Sequence, residues 1–336
     1  MKKHIYIYSP SGAVRDKAAF RRGVKRLQAL GHDVEVDEAA LTSFQRFAGD
    51  DATRLAAIAR AAASGADVAM ISRGGYGLTR ILAQIPYKAV AKAIERGTRF
   101  VGLSDFTAMQ LAVLARTGSP TWAGPSLCEG FGMHDKADDA DGHGHADQGG
   151  PDEIMEACFD DMLQDQGEGA GWRQPREPLP DAIKTGAYHA SRMGDSARFS
   201  IKDGVLWGGN LAVLCALVGT PYFPQIKGGI LFLEDVAEHP YRIERMLSQL
   251  LHAGVLAQQK AIVLGQFTEF KLVPHDKGFR LQSVVNWLRG QLKVPVLTNL
   301  PFGHVPTKVL LPVGVKTDLL VQGRDVLLLW GHQHGH

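Results

Sequence analysis

The stretch RFVGLSDFTAMQLAVLART, residues 99–117, changes its pattern at the pair Ser104–Asp105. The residues before Ser104 are largely apolar and typical of a buried strand, whereas apolar residues recur at helical spacing after Asp105. Serine and aspartate are both common helix N-caps, so the pair could simply start the helix. The corner could also expose Ser104 as a nucleophile, but these residues alone favour the cap, because caps are commoner than catalytic serines.

Strand and helix patterns alternate on the N-terminal side of this stretch. Strand patterns at 4–10, 33–39 and 67–77 alternate with helical patterns at 16–30, 53–63, 78–84 and 87–96. Such alternation predicts a parallel sheet with helices on both faces, as in Rossmann and flavodoxin-like domains. Ligands bind beyond the C-terminal strand ends of these sheets, which is where SPSG (9–12), RGGYG (73–77) and Ser104 fall.

The second half of the chain reads as a β-rich domain. Its strand patterns cover 186–195, 197–210, 228–235, 261–267 and 294–300, with helical patterns at 211–219 and 239–254. The tail from Lys308 to Trp330 alternates like successive antiparallel strands. We therefore expect an N-terminal parallel-sheet α/β domain over 1–130 and a barrel-like mixed α/β domain over 181–330.

A polar segment separates the two predicted domains. Residues 133–153, MHDKADDADGHGHADQGGPDE, are acidic and rich in glycine and histidine and show no periodicity, so we predict a linker over 131–180. His134, His143 and His145 could bind metal, as could the flexible tail GHQHGH at 331–336. Because such tracts usually bind metal only adventitiously, we expect no metal site and no cofactor.

Composition narrows the class of protein. The chain has 336 residues, 45% hydrophobic and 21% charged, with a net charge of +2 and no large basic block, so we expect no nucleic-acid partner. Its three cysteines are widely spaced, which argues against a disulfide framework or a zinc site. The apolar run at 5–8 is too short for a secretion signal and no stretch is long enough to span a membrane, so we expect a cytoplasmic protein.

A serine nucleophile needs a base and a group that orients the base. His304 follows an apolar strand pattern beside Gly303 and is a candidate base, although a histidine in this setting is more often a structural loop residue. Glu234 and Asp235 directly follow the apolar strand residues 230–233. A carboxylate at the end of a buried strand must be paired or used, either as the orienting acid or as a helix cap or an ion pair with Arg242 or Arg245.

Two glycine motifs are incomplete. Gly102–Phe106 keeps the first glycine of the hydrolase motif G-x-S-x-G and has phenylalanine in place of the second. The RGGYG turn matches neither a dinucleotide-binding nor a Walker motif. It is better suited to presenting backbone N–H donors beside Ser104, since glycine lets the main chain approach a ligand closely.

These stretches together resemble the LD-carboxypeptidases, the muramoyltetrapeptide carboxypeptidases of peptidoglycan recycling. The resemblance runs in consistent order from about residue 5 to 305. It rests on SPSG, RFAGDD, RGGYGLTRIL, GLSDFTAMQ, WAGPSL, LWGGNLAVL, GTPYFP, GILFLEDVAEHPYRIERML and FGH. The polar insert around 134–170 is longer than the family pattern and leaves the linker geometry open.

The resemblance implies a metal-independent serine peptidase that removes the terminal D-alanine from a murein tetrapeptide. Ser104 would be the nucleophile, His304 the base and Glu234 the orienting acid, with backbone N–H groups of Gly75 and Asp105 as the oxyanion hole. It also implies a cleft between the domains and a homodimer. Further substrate contacts would come from Arg73, Tyr76, Trp207 and Asn210.

Two other functions fit the sequence less closely. A related self-immunity hydrolase would cleave a toxic peptide-nucleotide antibiotic, an alternative that rests on analogy within the superfamily. A non-catalytic binder on a Rossmann-like sheet would hold a ligand at RGGYG, and it would show no change of activity when Ser104 is replaced.

Overall fold

Two β-sheets organise the chain. The computed structural model describes residues 2–134, 150–176 and 198–331. Within these residues the strands form one six-stranded sheet and one seven-stranded sheet. The α/β class expected from the sequence is confirmed, with a mostly parallel N-terminal sheet and a mixed C-terminal sheet.

The first sheet has the strand order of flavodoxin-like folds. Its strands are β1 (His4–Tyr8), β2 (Asp33–Val36), β3 (Val68–Ile71), β4 (Arg99–Gly102) and β5 (Thr121–Ala123). Its helices are α1 (Lys17–Ala29), α2 (Asp51–Ala63), α3 (Leu78–Ile81), α4 (Tyr87–Glu95) and α5 (Phe106–Thr117). The parallel order β5-β4-β3-β1-β2 reverses direction between β1 and β3, so a crevice opens where SPSG and RGGYG follow these two strands.

Local sequence sets the first helix. The Asp16 carboxylate accepts hydrogen bonds from the backbone N–H groups of Ala18 and Ala19 at 2.8 and 2.9 Å and so caps α1. The buried face of α1 includes Phe20, Gly23 and Leu27, which recur at helical spacing and pack on the sheet.

The helix that follows Ser104 is buried on almost every side. All residues of α5 from Phe106 to Val113 are buried, because one face packs on the first sheet and the other on the second domain. One hydrophobic core therefore includes Phe106 of α5 together with Leu206 and Leu214 of the second domain. A helix that is apolar all round is what this position requires.

The second sheet is mixed. Its strands are β6 (Gly169–Arg173), β7 (Arg198–Asn210), β8 (Ile230–Val236), β9 (Ala261–Thr268), β10 (Val296–Leu297), β12 (Val315–Gln322) and β13 (Asp325–Leu329). The order is β10-β9-β8-β7-β12-β13-β6, parallel from β7 to β10 and antiparallel elsewhere. The sheet curves so that its two edges approach each other: the indole N–H of Trp172 donates to the carbonyl of Thr298 at 2.9 Å.

The remaining helices cover the second sheet and the junction. The α-helices are α6 (Glu153–Leu163), α7 (Leu211–Leu217), α8 (Pro240–His252) and α9 (Leu281–Gln291). Short single-turn helices lie at Leu82–Gln84, Leu127–Phe131, Leu256–Gln258 and Pro274–Asp276.

The sixth strand of the first sheet comes from the C-terminal part of the chain. β11 (Leu311–Val313) pairs antiparallel with β5. The sequence pattern placed this strand with the second domain, because pairing across domains leaves no local signal. The crossing brings the loop that carries His304, just before β11, to the edge of the first sheet.

Part of the segment expected to be a linker is folded. Met155, Phe159 and Met162 of α6 pack into the core of the first domain, and β6 pairs with β13. The linker prediction is therefore wrong for these two elements. Their apolar residues follow the polar run too closely to stand out in composition.

Several predictions concern residues beyond this description. The strand expected at 186–195, His143, His145 and the histidines of the tail lie outside the described residues. In the part of the chain that is described, no helix is long and apolar enough to cross a membrane.

Candidate active site

Ser104 occupies a strained corner between β4 and α5. Its φ is +63°, in the left-handed region that a residue with a Cβ seldom adopts. The side chains of Ser104 and Asp105 do not cap the helix, since α5 starts without a side-chain cap hydrogen bond. The N-cap interpretation of this pair is therefore wrong, and the corner leaves Ser104 partly exposed at the C-terminal edge of the sheet.

The RGGYG turn packs directly against this serine. A Cβ built on Gly74 would lie 2.6 Å from the Cβ and 2.8 Å from the Oγ of Ser104. The preceding loop is tied to the same turn, because the N–H of Gly12 donates to the carbonyl of Gly74 at 3.1 Å. Glycine at 74 is thus required by the close approach of two strand-end loops.

The buried carboxylate of Asp105 joins three of these loops. It accepts a short hydrogen bond from the Ser11 hydroxyl and one of 2.9 Å from the backbone N–H of Leu78. Burial raises the pKa of Asp105, and these hydrogen bonds oppose that rise. The side chain therefore fixes the relative positions of the SPSG loop, the RGGYG turn and its own backbone beside Ser104.

The backbone amides of Gly75 and Asp105 flank the serine. Neither N–H donates a hydrogen bond to another residue in the described part of the chain. Gly75 has φ of +108° and lines the same cavity as Ser104. The Gly75 N–H is therefore free to meet an oxygen atom in the cavity, whereas Asp105 follows Ser104 in the chain and is not among the cavity-lining residues.

Glu234 and His304 form a hydrogen-bonded pair. The Nδ1 of His304 lies 2.8 Å from Oε2 of Glu234, which is fully buried at the end of β8. Gly303 has φ of +136°, and a Cβ there would lie 3.2 Å from the Glu234 carboxylate. A larger residue at 303 would push the histidine loop off the carboxylate, so the FGH sequence is explained by this contact.

The pair sets the electrostatics of the histidine. Burial lowers the pKa of His304, but the hydrogen bond and the charge of Glu234 outweigh it and hold the pKa above its ordinary value. With Nδ1 bound to the carboxylate, Nε2 is the ring nitrogen left for proton exchange.

Asp235 faces away from the histidine. Its carboxylate accepts hydrogen bonds from the Asn210 side chain, from the N–H of Ala212 and from the N–H of Val236, each at 2.9 Å. Burial and the neighbouring charge of Glu234 raise the pKa of Asp235 to about 6. The two adjacent carboxylates therefore have different surroundings, as alternation along a strand requires.

Asn210 links the two halves of the site. Its Nδ2 donates to both Glu234 and Asp235, at 3.2 and 2.9 Å, and its Oδ1 caps α7 at Val213. Its backbone N–H donates to the hydroxyl of Thr107 in α5 at 3.0 Å. One residue thus connects the helix that follows Ser104 with the carboxylate that holds His304.

Ser104 and His304 line one cavity of about 1160 Å³ between the two domains. The described contacts include no hydrogen bond between the two side chains. Together the cavity offers a strained serine, a histidine held by a buried carboxylate and, at Gly75, a backbone N–H with no partner among the described residues. This set can support attack of a hydroxyl on a carbonyl carbon without further groups.

The predicted substrate contacts divide into two groups. Arg73 lines the cavity, and Tyr76 is 45% exposed beside it, with the guanidinium of Arg46 over its ring at 5.5 Å. Trp207 has no exposed surface and its indole N–H donates to Gln259 at 3.0 Å, so it cannot touch a ligand in the cavity. Asn210 is 5% exposed and does not line the cavity, so it supports the carboxylates instead of contacting substrate.

Most of the charged side chains that line the cavity were not predicted from the sequence. Apart from His304, its charged lining side chains among the described residues are Arg15, Arg46, Arg73 and Lys308 against Glu129 and Glu269. A lone lysine or glutamate in a polar loop carries no sequence signal that would separate it from a solvated one. No group of three or more potential metal ligands is clustered among the residues described.

The chain is similar to known proteins over both of its domains. The family models for the LD-carboxypeptidase N-terminal and C-terminal domains match residues 5–124 and 203–319. The crystal structure of a muramoyltetrapeptide carboxypeptidase from Oxalobacter formigenes is 34% identical, covers 98% of both chains and superposes with a TM-score of 0.79.

Two further relatives carry different functional names. A probable murein peptide carboxypeptidase of Bacillus subtilis (strain 168) is 26% identical over 310 residues, covering 92% of this chain and 86% of the relative. The microcin C7 self-immunity protein of Escherichia coli is 26% identical over 265 residues, covering 76% of this chain and 72% of the relative. Because both domain models match in order and a relative above 30% identity covers nearly the whole chain, the protein belongs to the LD-carboxypeptidase family.

Proposed function

We propose that this protein is a serine-type LD-carboxypeptidase that releases the terminal D-alanine from murein tetrapeptides. The observation that carries the proposal is the pairing of His304 with the buried Glu234 across the same cavity as the strained Ser104. Family membership supplies the reaction class, and the described relatives named for murein peptides supply the substrate class.

In the proposed reaction, Nε2 of His304 takes the Ser104 proton as the Oγ attacks the carbonyl carbon between the L-centre of the diamino acid and D-alanine. The imidazolium that forms is stabilised by the Glu234 carboxylate at Nδ1. His304 then protonates the leaving amine as the carbon–nitrogen bond breaks. Water, deprotonated by the same histidine, hydrolyses the acyl-enzyme and restores Ser104.

The N–H groups of Gly75 and Asp105 stabilise the oxyanion in this scheme. Both are free donors beside Ser104, and the Asp105 side chain fixes the two loops that carry them. Removing one donor of this kind typically costs 10²–10³ in kcat, which is about 2.7–4 kcal/mol. The proposed role thus has a measurable size even though it involves only main-chain atoms.

The cavity charge suits an acidic peptide. Four cationic side chains and two carboxylates line it besides His304. A murein peptide carries several carboxylates, including the one at its C-terminus. A net positive cavity would concentrate such a substrate and speed its encounter with the enzyme.

The self-immunity relative defines the alternative function. A hydrolase of that branch would cleave a peptide-nucleotide conjugate with the same serine and histidine. The greater identity to the muramoyltetrapeptide carboxypeptidase over the full chain favours the murein substrate. We also propose, from the family resemblance, that the enzyme acts in the cytoplasm and forms a homodimer. Sedimentation of the purified chain would test the homodimer.

Product analysis tests the proposed function. Purified protein incubated with murein tetrapeptide is expected to yield tripeptide and free D-alanine in equal amounts by mass spectrometry. A peptide-nucleotide conjugate of the self-immunity type, assayed in parallel, is expected to be cleaved far more slowly. Cleavage of the conjugate without release of D-alanine would overturn the murein assignment in favour of the immunity function.

A further inference from the structure

Lys308 is a buried cation in the wall of the active-site cavity. Only 2% of its surface is exposed, and it is four residues beyond His304 in the same loop. Burial lowers the pKa of Lys308 to about 8, so its ammonium is still mostly protonated at neutral pH. A protonated lysine in such a place normally has a close anionic partner, because burying an unpaired charge is costly.

The contacts of Lys308 are weak. Its Nζ donates to the backbone carbonyl of Glu129 at 3.5 Å, which is long for a hydrogen bond. In the described structure no carboxylate lies within salt-bridge distance of this ammonium. The ammonium therefore has donor capacity left over at the wall of the cavity.

Arg73 approaches the same region from the opposite loop. Its Nε is 3.8 Å from the Glu129 carboxylate and its Nη1 donates to the carbonyl of Ala13 at 3.3 Å. Its Nη1 also lies 2.9 Å from where a Cβ on Gly75 would be, which places the guanidinium beside a proposed oxyanion donor. Two cations thus approach Glu129, Arg73 at its carboxylate and Lys308 at its backbone carbonyl, and neither is in close contact with it. The charges of Glu129, Asp152 and Glu234 act on the Lys308 ammonium from a distance and favour its protonated form.

The geometry points to an anion subsite: we propose that Lys308, assisted by Arg73, binds the free C-terminal carboxylate of the peptide substrate. This inference rests on the proposed function, because it assigns the leaving-group side of the same cavity. The carboxylate carbon of the departing residue is two bonds from the amine that His304 protonates. Lys308 is in the same loop as His304 and lines the same cavity, so it is on the histidine side of the site, where the amine departs.

Such a subsite explains how the enzyme would act only at chain ends. A substrate that lacks the terminal charge would leave the buried ammonium unpaired in the enzyme–substrate complex. Sites built on charged hydrogen bonds reject such substrates strongly.

The test compares the murein tetrapeptide with the same peptide ending in D-alaninamide. For the wild-type protein we expect kcat/KM to be at least about 10²-fold higher for the acid than for the amide, which corresponds to about 2.7 kcal/mol. Lys308→Met should lower kcat/KM for the acid by about 10²-fold, mainly through KM, and leave the amide unchanged. Lys308→Arg should restore part of the preference, and the exposed Lys88→Met serves as the matched charge-loss control.

The outcomes separate this inference from the proposed function. Equal cleavage of acid and amide by the wild-type protein would overturn the subsite while leaving the carboxypeptidase reaction in place. This comparison needs no variant, so it decides the question even if Lys308→Met fails to fold. A folded Lys308→Met that keeps the full acid preference would overturn the assignment of Lys308. Release of D-alanine or D-alaninamide from neither peptide would overturn the proposed function, and the inference with it.

Discussion

At the residue scale, substitution of the two adjacent carboxylates of β8 is expected to have different effects, one on activity and the other on stability. Glu234 holds the His304 ring at 2.8 Å, whereas Asp235 holds the start of α7. We predict that Glu234→Gln lowers kcat by about 10²–10⁴-fold with little change in stability, because the imidazole loses its orienting charge. Asp235→Asn should instead lower the free energy of unfolding by roughly 1 kcal/mol, as the loss of a helix-start contact does.

Kinetics and thermal melts on both variants, measured in parallel, decide between the two assignments. The proposed roles would be reversed if Asp235→Asn were inactive and Glu234→Gln were merely less stable.

The hydrogen-bonded pair of Glu234 and His304 also predicts how the pH profile of activity should shift when Glu234 is replaced. His304 must be neutral to accept the Ser104 proton, so kcat/KM should rise as the pH increases through the pKa of His304. The Glu234 carboxylate holds this pKa above its ordinary value. In Glu234→Gln the pKa should fall, and the acidic limb of the residual activity should move to lower pH. An acidic limb that stays in place would show that it belongs to another group.

At the scale of elements, the RGGYG turn and the β4–α5 corner behave as one unit. A methyl group at residue 74 would meet the Cβ of Ser104 at 2.6 Å, so one of the two loops must move. We predict that Gly74→Ala lowers kcat by about 10²-fold, the usual cost of misplacing a reacting group by about 1 Å. Gly290→Ala is the matched control, since nothing lies within 4 Å of that position on the exposed face of α9.

The control should raise helix stability by about 0.5–1 kcal/mol without changing turnover. Full activity in a folded Gly74→Ala protein would mean that the contact with Ser104 has no part in placing the nucleophile.

The local elements around the site could largely be predicted from the sequence. Apolar runs and helical spacing indicated β1, β3, β4 and α5 near their observed bounds, because each forms with local hydrogen bonds and one buried surface. The polar strand ends indicated the edge at which the site lies. The assignment of roles to Ser104, Glu234 and His304 came from the family resemblance, and it remains a prediction that the geometry makes specific.

Contacts made over long distances in the sequence could not be predicted. β11 joins the first sheet although it lies almost 190 residues beyond β5, and no local pattern encodes that partner. Trp207 was expected in the substrate site but is buried in the core, because an aromatic residue before a glycine pair does not show which face of a strand it occupies. Lys308 was expected only as the first residue of the strand-like tail, because burial by residues far away in the chain leaves no local pattern.

At the scale of the whole molecule, the proposed reaction uses side chains from both domains and requires no metal. In that mechanism the serine, histidine and carboxylate supply the nucleophile, the base and the charge stabilisation by themselves. We therefore predict that EDTA leaves kcat/KM unchanged within experimental error, measured on murein tetrapeptide before and after dialysis. Loss of turnover that zinc restores would require a different mechanism, with the histidine-rich segments as candidate metal ligands.

The central claim is that Ser104 is the nucleophile, and turnover of Ser104→Ala tests it most directly. The substitution removes one oxygen from a partly exposed site, so the protein should fold normally and melt near the wild-type temperature. We predict that release of D-alanine from murein tetrapeptide falls by roughly 10³-fold or more, as it does when a member of a catalytic triad is removed. Near-normal release by a well-folded Ser104→Ala protein would contradict the account.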